Sequence, residues 1–157
     1  MTTIAVKDGV IAFDSRRTRD GRIIISDNED KSIRFEKDGK ECIAVAAGSI
    51  PDVNTLISVY SGKSSESDCN SENLRAEAFV IENEDGKPKI VHIGFSYGSL
   101  FQQTPCGNGD AIGSGSDFAL AAFDHGATAV KAVKAAKKRD VYTGGVVRSV
   151  RLKNIAE

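Results

Sequence analysis

The sequence predicts a mixed α/β protein in which antiparallel sheets pack on one another with helices outside. Two observations carry this. Four Asp-Gly pairs punctuate the chain, at Asp8-Gly9, Asp20-Gly21, Asp38-Gly39 and Asp85-Gly86. Asp-Gly marks tight hairpins, because both central residues of a type I′ turn need positive φ. After Gly115 the pattern changes from alternation to a helical period in an alanine-rich stretch. The order is strands, a helix, strands, two helices and a strand, which suits layered sheets covered by helices.

Each element has a local reason. The first Asp-Gly joins Thr3–Val6 to Val10–Phe13, the third joins Ser32–Phe35 to Cys42–Val45, and the fourth joins Glu77–Ile81 to Ile90–Ile93. Short strands on tight turns pair antiparallel. Pro51 to Tyr60 reads as one short helix, and the Ser-rich stretch from Ser61 to Ser71 as a loop. Ser116 to Phe123 reads as a helix ended by Asp124-His125-Gly126. Thr128 caps a second helix through Arg139. Val146 to Leu152 forms the last strand.

Composition narrows the function. At 157 residues the chain suits one domain, 1–157, and can bury a core. A net charge of −1 disfavours a nucleic-acid binder driven by phosphate contacts. The basic run Lys131, Lys134, Lys137, Lys138 and Arg139 reads as a solvated helix face. Cys42, Cys69 and Cys106 are widely spaced, and His92 and His125 lack partners at metal-ligand spacing. No zinc site, other metal or cofactor is expected, and the cysteine usage fits a reducing cytoplasm. No apolar run has membrane-spanning length, and no signal peptide or other segment is expected before Thr2 besides Met1. Gly107 to Gly113 has the glycines of a dinucleotide loop without its spacing, and is not read as one. His92 alternates with apolar residues and reads as structural; His125 suits a helix C-terminus.

The start, Met1-Thr2-Thr3-Ile4, is the most informative feature. Thr2 is small enough for an aminopeptidase to remove Met1. A threonine at a free N-terminus carries a nucleophilic hydroxyl and, in its own α-amine, a base. That amine titrates at about 8, so much of it is neutral at physiological pH.

Further segments follow in order: Val10–Arg16, Lys31–Phe35, Ala46–Asp52, Ile112–Ser116 and Asp140–Gly145. Together with the start, across nearly the whole chain, they resemble the proteasome β-type subunits, most closely the bacterial HslV-type peptidases, within the N-terminal nucleophile hydrolases. The resemblance implies a four-layer α/β/β/α sandwich and a threonine-type peptidase. It assigns the nucleophile to Thr2 and the neighbouring carboxylate and lysine to Asp14 and Lys31. Gly48 matches the backbone N–H of the oxyanion hole, and Ser114 the serine of the GSG motif. Asp140 and Thr143 match an aspartate and a serine that hold the N-terminal amine; threonine keeps the hydroxyl.

The chemistry is coherent without the family. Lys31 beside Thr2 favours an alkoxide and, by like-charge repulsion, a neutral amine. Asp14 pairs a lysine that would be costly to bury alone. Taken singly, each residue also has a structural role: Asp14 at a strand end, Lys31 on a strand surface, Gly48 entering a helix, Ser114 capping one.

The chain departs from the family in one region. Members carry two long helices after the segment matching Ala46–Asp52; here Pro51–Tyr60 stands with, at most, a stub at Ser71–Arg75. This shortened helical layer weighs against a stacked double ring, while a homo-oligomer, ring-like by resemblance, is still expected. A polypeptide is the expected substrate and an unfoldase ATPase a candidate partner. With Met1 attached, Thr2 has no free amine and the site is dormant. Two other readings stand beside the peptidase: a non-catalytic, self-assembling protein of the same fold, and a small-molecule amidohydrolase.

Overall fold

A computed structural model of the chain describes residues 2–69 and 71–155. In chain order the elements are β1 (Thr3–Lys7), β2 (Val10–Phe13), β3 (Arg17–Arg19), β4 (Ile23–Ser26), β5 (Ser32–Lys37) and β6 (Lys40–Gly48). Helix α1 (Ile50–Tyr60) is followed by β7 (Ala76–Glu84), β8 (Lys87–Ser96), β9 (Ser99–Gln103) and β10 (Asp110–Gly113). Then come α2 (Ser116–Phe123), α3 (Ala129–Lys137) and β11 (Arg148–Arg151). They fall into two compact units: residues 1–31 with 105–151, and residues 32–104 with 152–157.

The first unit holds a four-stranded antiparallel sheet, ordered β10-β1-β2-β11, and the separate β3–β4 hairpin. Strand β1 alternates: Ala5 packs with Ala12 of β2 against Ala119 and Phe123 of α2 and Ala132 and Val133 of α3. Alanine on both sides lets helix and sheet backbones approach closely. Thr128 caps α3, its Oγ1 accepting from the Lys131 N–H at 3.2 Å. The basic side chains Lys131, Lys134, Lys137 and Lys138 are exposed, as a solvated face requires.

The second unit is a five-stranded antiparallel meander, β5-β6-β7-β8-β9, with α1 packed on one face. Val53, Leu56 and Tyr60 of α1 meet Ala44 of β6, Ala78 and Val80 of β7, and Ile93 of β8. Burying aliphatic side chains of this size contributes about 1.5–3 kcal/mol each. Ser49 starts α1, its Oγ accepting from the Asp52 N–H at 3.3 Å, with Pro51 in the first turn. The stretch after α1 contains two single 3-10 turns, Glu66–Asp68 and Ser71–Asn73; the expected stub at Ser71–Arg75 is the second of these.

All four Asp-Gly pairs form hairpin turns, with Asp8, Asp20 and Asp38 at φ 53° and Asp85 at 52°. A fifth hairpin, between β8 and β9, turns at Tyr97-Gly98, with Tyr97 at φ 52°. The last strand is shorter than expected, starting at Arg148 rather than Val146. No helix among the described residues is long and apolar enough to cross a membrane.

Candidate active site

Strand register brings the candidate residues of the first unit together. Thr2 immediately precedes β1 and Asp14 immediately follows β2, and β1 pairs β2 with Ile4 opposite Phe13. On the other side β1 pairs β10 with Thr3 opposite Gly113, which sets Ser114 beside Thr2. One end of the sheet therefore collects Thr2, Asp14 and Ser114. Asp140 and Thr143 reach it from the segment between α3 and β11, and Lys31 from the segment after β4.

Thr2 Oγ1 donates to Asp14 Oδ1 and accepts from Lys31 Nζ. Lys31 Nζ also bonds Asp14 Oδ1 at 2.7 Å. The Asp14 carboxylate is fully buried and accepts further N–H bonds, from Thr3 at 3.2 Å on Oδ1, and from Arg16 at 3.2 Å and Gly144 at 3.0 Å on Oδ2. A buried charge needs such partners. Burial pulls the Lys31 pKa down; the Asp14 charge and hydrogen bond push it back, and the net shift is below the usual lysine value. The ammonium is thus easier to deprotonate than a surface lysine's.

A second network backs the first. Asp140 Oδ2 accepts from Ser114 Oγ and from Thr143 Oγ1, each at 2.6 Å, and Asp140 Oδ1 accepts from the Tyr142 N–H at 3.1 Å. Ser114 Oγ also lies 3.3 Å from the Thr2 carbonyl oxygen. Thr143 has spent its proton on Asp140, so the 2.6 Å contact between Thr3 Oγ1 and Thr143 Oγ1 has Thr3 as donor. The GSG motif has a steric reason. Gly113 sits at φ +95°, and a Cβ there would strike the Thr2 carbonyl; a Cβ on Gly115 would strike Thr3 Oγ1. Glycine on both sides of Ser114 lets the N-terminal strand lie against it.

Burial alone would raise the Asp140 pKa, but the Ser114, Thr143 and Tyr142 hydrogen bonds outweigh it and hold it below the ordinary carboxylate value. A carboxylate whose folded pKa lies under its unfolded 3.8 stabilises the fold above that value and loses the contribution as pH falls through the folded pKa. Asp140→Asn is expected to cost about 1.5–3 kcal/mol at neutral pH. Thermal unfolding at pH 7 and pH 3 checks this: the gap between wild type and variant should narrow at pH 3.

Gly48 lies in the second unit, at the end of β6, at φ +139° and opposite Ala76 of β7. A Cβ there would stand 2.5 Å from the Arg75 carbonyl oxygen, so the position itself demands glycine. Met1 lies outside the described residues. Elsewhere, His92 stands between the Phe79 and Phe101 rings, its Nε2 3.0 Å from Glu77 Oε2 and its Nδ1 3.0 Å from Gln103 Nε2. These contacts fit the structural role read from its alternation.

Sequence reasoning did not single out Thr3, Arg16 or Gly144. Thr3 had a signal, since alternation along β1 turns it away from Thr2. The Arg16 and Gly144 contributions to Asp14 come from backbone N–H groups, which residue type does not reveal.

The fold is proteasome-like, as its likeness to solved structures shows. The chain is similar to eukaryotic HslV from Trypanosoma brucei at 20% identity and TM-score 0.63, covering 96% of this chain and 98% of that one. It is similar to the Thiobacillus denitrificans BPH, solved in complex with epoxomicin, at 19% identity and TM-score 0.60 over 96% and 98% of the two chains. The Anbu complex from Pseudomonas aeruginosa, solved as a helical assembly, matches at 15% identity and TM-score 0.65 over 96% and 80%. No family model matches the sequence, and no curated protein matches it significantly.

Proposed function

We propose that residues 1–157 act as one N-terminal threonine hydrolase domain that cleaves peptide bonds through an acyl-enzyme on Thr2. The observation that carries this reading is Thr2 Oγ1, bonded at once to Lys31 Nζ and Asp14 Oδ1. Removal of Met1 frees the Thr2 α-amine. Thr2 Oγ1 then attacks the scissile carbonyl carbon, and the α-amine takes the hydroxyl proton. Lys31 stabilises negative charge growing on Oγ1 and, by repulsion, disfavours a charged amine. Asp14 holds Lys31. The resemblance gives the oxyanion to the Gly48 N–H; such a donor is worth roughly 3–4 kcal/mol in the transition state. The α-amine passes its proton to the leaving amine as the C–N bond breaks, leaving an ester on Oγ1. Water, deprotonated by the same amine, hydrolyses that ester and restores Thr2. Ser114, Asp140 and Thr143 hold the N-terminal residue in place.

Turnover of fluorogenic peptides beside small amides tests the reaction class. Peptide cleavage lost in Thr2→Ala supports a peptidase. Cleavage of small amides alone would move the protein to the amidohydrolases, and neither activity would leave a non-catalytic assembly.

The site belongs to a homo-oligomer in this reading, working in the cytoplasm. The β3–β4 hairpin leaves Ile23, Ile24 and Ile25 51%, 52% and 43% exposed, an apolar surface of the kind that neighbouring subunits cover. The similar Anbu complex is solved as a helical assembly, which supports this reading. Light scattering at micromolar concentration should give a mass of about six chains or more, ring or helix. A monodisperse 16.7 kDa particle would refute it. An unfoldase ATPase added with ATP then tests whether folded polypeptides are fed to the assembly.

A further inference from the structure

We propose that Arg16 is a positioning residue for the Thr2 site: its guanidinium clamps two backbone segments onto the turn that carries Asp14, and so fixes where Asp14 and Lys31 stand relative to Thr2 Oγ1. This rests on the threonine-hydrolase reading above. Arg16 Nε and Nη2 form a forked pair with Asp27, at 2.8 and 3.1 Å, and Nη1 donates to the Val141 carbonyl at 3.0 Å. One side chain thus ties the segment leading to Lys31 to the segment leading to Gly144.

Both ties reach the site. A Cβ on Gly144 would run into the Arg16 guanidinium, so that group is seated directly on the Gly144 backbone. The Gly144 N–H donates to Asp14 Oδ2 at 3.0 Å, and the Gly144 carbonyl accepts from the Ser15 N–H at 3.0 Å. On the other side, the Glu29 N–H donates to the Ser15 carbonyl at 2.9 Å. The run from Asp27 to Lys31 is therefore pinned at its start by Arg16 and near its middle by Ser15. Arg16 also holds the Asp27 carboxyl below its usual range through their hydrogen bond.

The pair is a poor candidate for a stability device. Asp27 is 43% exposed, and exposed ion pairs contribute little to folding. What Arg16 supplies is a planar fork that satisfies three acceptor positions at once. Lysine, a single point of charge, cannot do so.

The test combines two readouts on the processed, full-length protein: backbone amide hydrogen exchange, and covalent labelling of Thr2 by a peptide epoxyketone. In Arg16→Ala the Gly144 amide should exchange about tenfold faster or more, through local opening. The maximal labelling rate should fall about tenfold or more while the half-saturating probe concentration stays within roughly twofold, because misplacement of the reacting groups acts on the chemical step. Arg16→Lys should show the same losses, since it keeps the charge and loses the fork. Asp27→Asn should move both readouts the same way. Thermal midpoints separate these effects from unfolding; if Arg16→Ala does not fold, Arg16→Lys and Asp27→Asn are held to the same thresholds. Gly144 exchange and labelling rate both within about twofold of wild type would overturn the proposal. So would a weaker half-saturation at an unchanged maximal rate, which would make Arg16 a substrate contact. If wild-type Thr2 takes no label, the hydrolase reading fails, and Gly144 exchange alone then decides whether the clamp exists.

Discussion

Lys31→Ala lowers peptide turnover by roughly 10²–10³-fold, the span attributed to one group that stabilises charge developing in the transition state. Lys31 Nζ is bonded to Thr2 Oγ1, so its removal takes away the positive charge nearest the developing alkoxide. The fold should survive. Removing one partner of a buried ion pair is usually costly, at about 3–5 kcal/mol. Here Asp14 keeps its N–H bonds from Thr3, Arg16 and Gly144, and the burial penalty that depresses the Lys31 pKa disappears with the side chain. Lys31→Arg should not rescue, because a guanidinium is a rigid fork where the site holds a single nitrogen at 2.7 Å from Asp14 Oδ1. Circular dichroism verifies the fold and fluorogenic peptides give the rate. Turnover within about threefold of wild type would make Lys31 a structural lysine and break the constellation.

A non-removable extension ahead of Thr2 abolishes turnover. An amide nitrogen in place of the α-amine cannot accept a proton at physiological pH, so the step that activates Oγ1 loses its base. The expected loss is at least as large as for Lys31→Ala, because attack, expulsion of the leaving amine and ester hydrolysis all route a proton through that nitrogen. Thr2 Oγ1 keeps its bonds to Lys31 and Asp14 in the extended chain, so the fold should be unchanged. Peptide turnover before and after enzymatic removal of the extension measures the effect. Full activity with the extension in place would require a base other than the amine.

The hairpins show which parts of the fold were legible in the sequence. Aspartate tolerates left-handed backbone and glycine follows at no steric cost, so Asp8, Asp20, Asp38 and Asp85 announce their turns. Tyr97 adopts the same φ with a side chain that rarely does, fully exposed at the turn, and the β8–β9 hairpin went unread for that reason. Helix α1 was legible from Pro51 onward and α3 from its Thr128 cap, while the Ser49 cap of α1 went unread. The strand β10 hid inside the segment read for its GSG motif.

The candidate site was legible through the order of its motifs, not through any motif singly. Thr2, Asp14 and Ser114 are far apart in the chain, and only the registers β1–β2 and β1–β10 explain why they meet. Ser114 shows how a local reading misleads. It precedes α2 like a cap, yet Gly115 occupies the cap position without a side-chain bond, and the Ser114 hydroxyl goes to Asp140 instead. The Arg16 clamp stayed invisible because its partners are a main-chain carbonyl and a carboxylate on a loop, neither marked by spacing.

The central claim is that Thr2, once exposed, is the nucleophile. Intact-mass and peptide-level mass spectrometry after treatment with a peptide epoxyketone tests it most directly. Such a probe is captured by a hydroxyl and a free α-amine on one residue, so it reads both halves of the mechanism together. The account predicts a protein lacking Met1 that carries one equivalent of probe on Thr2, with no adduct in Thr2→Ala and a much slower one in Lys31→Ala. An unmodified, Met1-free protein, or a probe found on the exposed thiol of Cys106 instead, would contradict it.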